Sequence, residues 1–169
     1  MKKIALIYSF NTTKTRKTAE KIAAEFGEEL IDHLNAEEIR GDVFMKYNFL
    51  ILGVPTWFDG ELPNYWDEFV PELEDLDLRG KKIALFGLGD QVNYSENFGD
   101  GMGILGEILE NCGAQLVGFT SSVDYEFEGS RALWGDLFCG LMIDQDNQAK
   151  LTPQRIKNWV QQIRKEFNI

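Results

Sequence analysis

A run of hydroxyl, amide and amine side chains near the N-terminus is the first feature that could bind a ligand. It begins after the apolar segment Ile4–Tyr8 and consists of Ser9, Phe10, Asn11, Thr12, Thr13, Lys14 and Thr15. A stretch with helical spacing follows, and the free N–H groups and positive dipole end at a helix N-terminus favour a phosphate. Because Ser and Thr also cap helices without any ligand, anion binding and simple capping both stay open. The glycine-rich motifs G-x-x-x-x-G-K-[ST] and G-x-G-x-x-G are absent from this loop.

Two further loops carry aromatic side chains and glycines. The apolar run 49–54 is followed by Pro55, Thr56, Trp57, Phe58, Asp59 and Gly60. The apolar run 83–88 leads through Leu88 into a loop that contains Gly89, Asp90, Tyr94, Asn97 and Phe98. An aromatic ring in such a loop either packs beneath the loop or is offered to a flat ligand, and glycine lets the backbone approach a ligand closely. Taken singly, each loop also fits an ordinary connection.

The segments between these loops predict an α/β fold. Strands buried on both faces of a parallel sheet are apolar without alternation, as are the runs Ile4–Tyr8, 49–54 and 83–88. A weaker strand is expected at 115–119 and a short one at 29–33. Apolar residues at helical spacing predict helices over 19–26, 66–73, 104–112 and 156–167. This alternation predicts a parallel sheet covered by helices on both faces, in a single domain that spans residues 1–169.

The three loops are expected to converge. In an open parallel sheet, ligands bind beyond the carboxyl ends of the strands, and each loop follows a predicted strand. One edge of the sheet would then carry a phosphate site, two aromatic faces and glycines that let the backbone come close to a ligand. This combination suits a planar aromatic cofactor with a phosphate tail. FMN matches this description better than NAD or ATP, which need a longer phosphate cradle.

Composition excludes several other functions. The chain has 169 residues, with 17 Lys and Arg against 28 Asp and Glu, and so a formal net charge of −11. This balance argues against a general nucleic-acid binder and against a polybasic membrane-surface protein. Two cysteines and one histidine allow neither a four-cysteine nor a poly-histidine metal centre, and leave little room for Ser-His-Asp chemistry. No apolar stretch approaches about 18 residues and no targeting segment is recognisable, so a cytoplasmic protein is expected.

The blocks around these loops resemble those of the long-chain flavodoxins, and the similarity covers nearly the whole chain. The strongest matches are the blocks 55–57 (Pro-Thr-Trp), 60–62 (Gly-Glu-Leu) and 85–92 (Leu-Phe-Gly-Leu-Gly-Asp-Gln-Val). Further matches are the blocks 125–127 (Tyr-Glu-Phe) and 144–148 (Asp-Gln-Asp-Asn-Gln). The aromatic segment 120–138, which has no clear period, resembles the insertion in the last strand that defines the long-chain class.

The resemblance implies a fold, a cofactor and a role. The fold is a three-layer α/β/α sandwich with a five-stranded parallel sheet in the order 2-1-3-4-5. The cofactor is non-covalently bound FMN. The role is low-potential one-electron transfer, without substrate turnover, by a monomer that meets redox proteins with basic docking faces, such as a ferredoxin-NADP reductase or photosystem I. Acidic residues near the flavin edge would steer these partners; the candidates are Asp59, Glu61, Asp67, Glu68 and Asp100.

The resemblance also assigns residues to parts of the cofactor. The phosphate would be held by Asn11, Thr12, Lys14 and Thr15. One face of the flavin ring would be covered by Thr56 and Trp57, and the other by Tyr94. The polar edge of the ring would be reached by Gly89, Asp90 and Asn97, and the ribityl chain by Asp146. The backbone carbonyl that turns toward the reduced ring in that family would here belong to the Phe58–Asp59 peptide.

Two residues depart from the family pattern. Phe10 stands where Ser or Thr is usual, and Thr13 stands where Gly is usual. Because a hydrogen bond to a charged group contributes roughly 1.5–3 kcal/mol, the missing hydroxyl predicts FMN binding that is about ten- to a hundred-fold weaker. A left-handed backbone at Thr13 would add strain. These departures leave open a flavin-free docking module. A second alternative, on the fold alone, is an FMN-dependent oxidoreductase of the quinone-reductase kind.

Overall fold

The central sheet consists of parallel strands in the predicted order. The computed structural model describes residues 1–169, and its first five strands are β1 (Ile4–Tyr8), β2 (Ile31–Asn35), β3 (Phe49–Gly53), β4 (Lys82–Leu88) and β5 (Gln115–Val117). They pair in the order β2-β1-β3-β4-β5, and every pairing is parallel. All five residues of β1 are buried, which is why their sequence is apolar without alternation.

Helices cover both faces of the sheet and complete the predicted three-layer sandwich. They are α1 (Lys14–Phe26), α2 (Gly41–Phe44), α3 (Asn64–Glu74), α4 (Asp100–Asn111) and α5 (Thr152–Phe167). Helices α1 and α5 share one buried core, which contains Ile22 and Trp159. Helices α3 and α4 share the other, which contains Trp66 and Leu105. None of the helices combines the length and hydropathy that a membrane crossing requires.

The aromatic segment that follows β5 is an ordered insertion. Its strands β6 (Thr120–Ser121), β7 (Leu133–Trp134) and β8 (Leu137–Phe138) form a small antiparallel sheet. Strand β9 (Leu141–Ile143) then returns to the central sheet and pairs in parallel with β4. The insertion therefore divides the last strand into β5 and β9, as predicted. Its Phe127 packs on Phe98 with ring centroids 5.3 Å apart, so the insertion contacts the loop after β4.

The second strand lies two residues further along the chain than predicted. Residues Glu28–Leu30 form a 3-10 turn after Gly27, whose φ of 106° ends helix α1. The strand consequently begins at Ile31, which pairs with Ile4. This register places Asn35 beside Tyr8 at the carboxyl edge of the sheet.

Candidate functional site

The three loops meet at the carboxyl edge of the sheet, around two adjoining cavities. The first, of about 420 Å³, is lined by Thr56, Trp57, Phe58, Gly89, Asp90, Tyr94, Asn97 and Phe98. The second, of about 440 Å³, is lined by Thr12, Thr13, Lys14, Thr15, Pro55, Leu88, Gln145 and Asp146. The two cavities form one cleft, because both are also bounded by Thr56, Trp57, Gly89, Asp90 and Tyr94.

The polar end of the cleft is the start of helix α1. No side chain caps this helix, and its N-cap residue, Thr13, has a right-handed backbone with a φ of −96°. The Thr12 hydroxyl donates instead to the Ser9 carbonyl at 2.8 Å. The hydroxyls therefore do not cap the helix, and residues 12–15 at its start line a cavity that could take an anion. The left-handed strain considered for Thr13 is absent.

Three residues of the predicted phosphate loop lie outside the lining of the cleft. Ser9 is buried, and its hydroxyl oxygen accepts a bond of 3.3 Å from the Asn11 N–H. The ring of Phe10 packs on Tyr8 with centroids 5.1 Å apart. The Asn11 amide donates to the Glu37 carboxylate. Phe10 therefore leaves the cleft open, and the side chain of Asn11 is engaged elsewhere.

A salt bridge crosses the mouth of the polar end. The Lys14 ammonium lies 2.8 Å from the Asp146 carboxylate, and both side chains are exposed. Exposed ion pairs contribute about 0–1 kcal/mol, so Lys14 can exchange this partner for an anion. Gln145, which the sequence analysis did not single out, lines the same cavity.

The other end of the cleft has one fixed and one exposed aromatic wall. The half-buried Trp57 packs edge-on against Tyr65, with centroids 5.7 Å apart. Its loop is closed by two backbone bonds with Glu61, of 2.9 and 2.7 Å. Tyr94, across the cleft, is 59% exposed. Between Trp57 and Glu61 the turn requires positive φ, 49° at Phe58 and 93° at Gly60, so Phe58 carries the strain of a left-handed non-glycine residue.

The Asp90 carboxylate is occupied within its own loop. It accepts from the backbone N–H of Asn93 at 2.9 Å and of Val92 at 3.0 Å, and from the Asn147 amide at 2.8 Å. These bonds, the Asn93 N–H foremost, lower the pKa of Asp90 to about 2. Behind them, the fully buried Asp144 accepts from the Gln91 N–H and amide. Asp90 lines the cleft, and its carboxylate supports the loop.

Asp100 does not belong to the predicted steering surface. Asp59, Glu61, Asp67 and Glu68 are exposed, whereas Asp100 is only 5% exposed. Its carboxylate accepts from the Arg131 N–H at 2.8 Å, within the insertion. The prediction was wrong because a position at the start of a helix does not reveal what packs against it.

Similarity to known proteins agrees with this geometry. The family model described as flavodoxin matches residues 6–159 of the chain. The chain belongs to the flavodoxin family. It is 42% identical over 168 residues to a flavodoxin of Nostoc sp., with 99% of each chain covered. It is 45% identical over 171 residues to the flavodoxin of Synechococcus elongatus, with both chains fully covered.

A solved flavodoxin has the same architecture. The crystal structure of Fusobacterium nucleatum flavodoxin bound to flavin mononucleotide matches with a TM-score of 0.91 and 32% identity. The match covers 98% of this chain and 99% of that one. A point mutant of the same protein, also bound to flavin mononucleotide, matches with a TM-score of 0.92.

Proposed function

We propose that this flavodoxin carries single electrons at low potential between other proteins, using FMN held non-covalently in the cleft. The observation that carries the proposal is the continuity of the cleft, from an uncapped helix N-terminus to a pair of aromatic walls. FMN has the same two parts in the same order, a phosphate and a flat ring. When bound, it supplies reversible one-electron chemistry.

The polar end fits a phosphate dianion. The N–H groups at the start of α1 and the positive end of its dipole favour negative charge. The residues that would hold the phosphate are Thr12, Thr13, Lys14 and Thr15, all of which line this cavity. Their hydroxyl and ammonium donors add charge-assisted hydrogen bonds, which are stronger than neutral ones. This part of the cleft supplies most of the affinity.

The aromatic end fits a ring held between two side chains. Trp57 would cover one face and Tyr94 the other, with Gly89 and Asn97 at the polar edge. The two rings exclude water, and the chain around them has a net charge of −11. Both effects disfavour the negative charge that reduction adds. Each 1.4 kcal/mol of such destabilisation lowers a one-electron potential by about 59 mV, which is the basis of the low potential.

The rim of the aromatic end suits brief contact with another protein. Phe58 is 74% exposed and Tyr94 59%, and both line the aromatic cavity. Asp59 and Glu61 lie exposed on the same loop as Phe58. An apolar patch with an acidic rim favours partners with basic docking faces and speeds their approach, such as a ferredoxin-NADP reductase or photosystem I. The carrier would act as a monomer, and its two free cysteines suit the reducing cytoplasm.

An electron relay tests this function against its two alternatives. FMN-loaded protein would be mixed with NADPH, a ferredoxin-NADP reductase and cytochrome c, and the absorbance of reduced cytochrome c followed. We expect a rate that rises with carrier concentration and falls with added salt, and no relay by the apoprotein. NADPH oxidation without the reductase would instead indicate an FMN-dependent oxidoreductase. A protein that takes up no FMN would be a docking module.

A further inference from the structure

The carboxylate of Asp100 contacts three segments that surround the aromatic end of the cleft. One oxygen accepts from the Arg131 N–H of the insertion at 2.8 Å. The other accepts from the Asn97 amide, in the loop after β4, at 3.3 Å. The same oxygen would lie only 2.7 Å from a Cβ atom added at Gly60, in the loop after β3. A single buried carboxylate thus touches both loops that carry the aromatic walls, and the insertion as well.

The residue after Asp100 fixes the same junction. The Gly101 N–H donates to the Thr56 hydroxyl at 2.9 Å. A Cβ atom at Gly101 would lie only 2.6 Å from the Pro55 carbonyl oxygen. Helix α4 therefore packs directly against the loop after β3, with no room for a side chain between them. The first turn of α4 therefore sets the distance between the two loops, with Asp100 as its only charged group.

The Asp100 carboxylate also orients the amide of Asn97. A carboxylate only accepts hydrogen bonds, so Asn97 must turn its NH₂ group toward Asp100. The amide oxygen of Asn97 is then left as a free acceptor on a residue that lines the cleft. The flavin ring carries an N–H donor on its polar edge, for which such an acceptor is complementary.

The charge of Asp100 has no cation beside it. The guanidinium of Arg131 instead lies 3.8 Å from Glu107. The charge is stabilised by N–H donors and by the positive end of the α4 dipole. The Asp100 carboxylate is therefore a buried acidic group that contacts Asn97, a residue of the cleft lining.

We infer that Asp100 is a positioning residue for the cofactor, an assignment that rests on the proposed function. It holds the Asn97 amide oxygen toward the flavin edge, it fixes the spacing of the two aromatic loops, and its charge makes the bound flavin harder to reduce. None of these roles requires Asp100 to touch the flavin.

A double-mutant cycle tests this inference. Asp100→Asn keeps the shape and an acceptor for the Arg131 N–H, but its own NH₂ group forces Asn97 to turn its oxygen away from the cleft. We expect FMN to bind about tenfold more weakly, which corresponds to one lost hydrogen bond. In an Asn97→Ala background, Asp100→Asn should cause no further tenfold loss, because coupled residues are not additive. Glu110→Gln, which removes an exposed charge from the far end of α4, is the matched control.

The reduction potential of the bound flavin separates positioning from simple support of the fold. We expect the potential of the Asp100→Asn protein to shift to less negative values, and that of Glu110→Gln to stay within error of the parent. If Asp100→Asn does not fold, Asp100→Ser keeps a side chain that suits a helix start and serves in its place.

Either of two results would overturn the inference. One is an affinity and potential in Asp100→Asn equal to those in Glu110→Gln. The other is a tenfold loss that persists in full in the Asn97→Ala background. If instead the unsubstituted protein takes up no FMN, the proposed function fails as well, so the two failures are distinct.

Discussion

The two ends of the cleft are built by different kinds of contact. At the polar end the backbone is held by local contacts: Thr12 bonds to Ser9, and the Lys17 N–H to the Thr13 carbonyl. The long-range Lys14–Asp146 pair at this end is exposed. At the aromatic end they join distant segments. Asn147 bonds to Asp90, and the Gly129 N–H bonds to the Ser95 carbonyl at 2.9 Å. The N–H and hydroxyl donors of the polar end are therefore set mainly by the start of helix α1, whereas the aromatic end requires the insertion. The segment after β9 contributes to both ends, through Asp146 at the polar end and Asn147 at the aromatic end.

This difference suggests that the two ends of the cleft have different roles toward the cofactor. An anion site at a helix N-terminus contributes affinity through backbone N–H groups that the helix itself positions. The aromatic end has an exposed wall, a strained turn at Phe58 and buried carboxylates behind it. Such a region can change the energy of the bound ring through small shifts of its loops. We thus expect the polar end to dominate binding and the aromatic end to set the redox properties.

Removal of the phosphate should produce the largest effect. Riboflavin has the ring of FMN without the phosphate, and loses several charge-assisted bonds of roughly 1.5–3 kcal/mol each. We predict binding about a thousandfold weaker than that of FMN, measured by titration of the apoprotein and quenching of flavin fluorescence. Equal affinity for the two ligands would show that the polar end contributes nothing.

Truncation of the fixed aromatic wall should come next. Trp57→Ala removes a ring that is held against Tyr65, and so removes a preorganised stacking surface. We predict FMN binding about ten- to a hundred-fold weaker, from a loss of about 1.5–3 kcal/mol. Trp57→Phe, the conservative control, should recover most of the affinity. An unchanged dissociation constant in Trp57→Ala would show that the flavin ring does not stack on Trp57.

Truncation of the exposed wall should cost less. Tyr94 is 59% exposed, so part of its stacking energy is offset by the entropy of ordering the side chain. We predict that Tyr94→Ala weakens FMN binding about three- to tenfold, and that Tyr94→Phe matches the parent. Isothermal titration calorimetry on both variants checks this, and a loss larger than that in Trp57→Ala would reverse the order of the two walls.

Acid should loosen the aromatic end through Asp90. The pKa of this carboxyl is about 2 in the folded protein against about 3.9 when unfolded. Its stabilisation is therefore complete above about pH 4 and is lost as the pH falls through 2. We predict that the ionised Asp90 carboxylate adds about 1 kcal/mol or less to the free energy of unfolding, because Asp90 is partly exposed and its interactions are screened. Asn in Asp90→Asn still accepts from Val92 and Asn93.

The difference in unfolding free energy between the parent and Asp90→Asn isolates this contribution. It should be constant from pH 7 to 4 and shrink from pH 4 to 2, measured by urea denaturation of the apoproteins. A difference that does not change with pH would show that ionisation of Asp90 does not stabilise the fold.

Loss of the salt bridge at the mouth should have the smallest effect. Asp146→Asn breaks an exposed pair worth about 0–1 kcal/mol and frees Lys14 for the phosphate. We predict an FMN dissociation constant within about threefold of the parent and little change in stability. A tenfold loss of affinity would mean that Asp146 itself holds the ribityl chain, which is the role that the family resemblance implies for it.

Much of the fold followed from sequence because its signals are local. The strands around Leu6, Ile51 and Leu85 are apolar throughout, so their burial in a parallel sheet could be predicted, and with it the edge where the loops meet. The second strand was misplaced because Glu28–Leu30 form a 3-10 turn, a choice that depends on pairing with β1.

The site was less predictable where distant residues decide the role of a side chain. Nothing local indicates that Asp100 is covered by the insertion, or that the Asp90 carboxylate is shared with Asn147, 57 residues away. The side chains of Phe10 and Asn11 do not line the cleft, because Phe10 packs on Tyr8 and the Asn11 amide bonds to Glu37. Residue type indicated what each group could do, and tertiary contacts decided whether it was free to do it.

Titration of the apoprotein with FMN shows whether the cleft binds the cofactor at all. Tryptophan fluorescence and the visible spectrum would be followed together, with riboflavin as the competing ligand. We predict uptake of one FMN per chain, loss of flavin fluorescence and a fall in the tryptophan emission. Riboflavin should reproduce these changes only at far higher concentration. A protein that stays colourless in micromolar FMN, with unchanged tryptophan fluorescence, would contradict it.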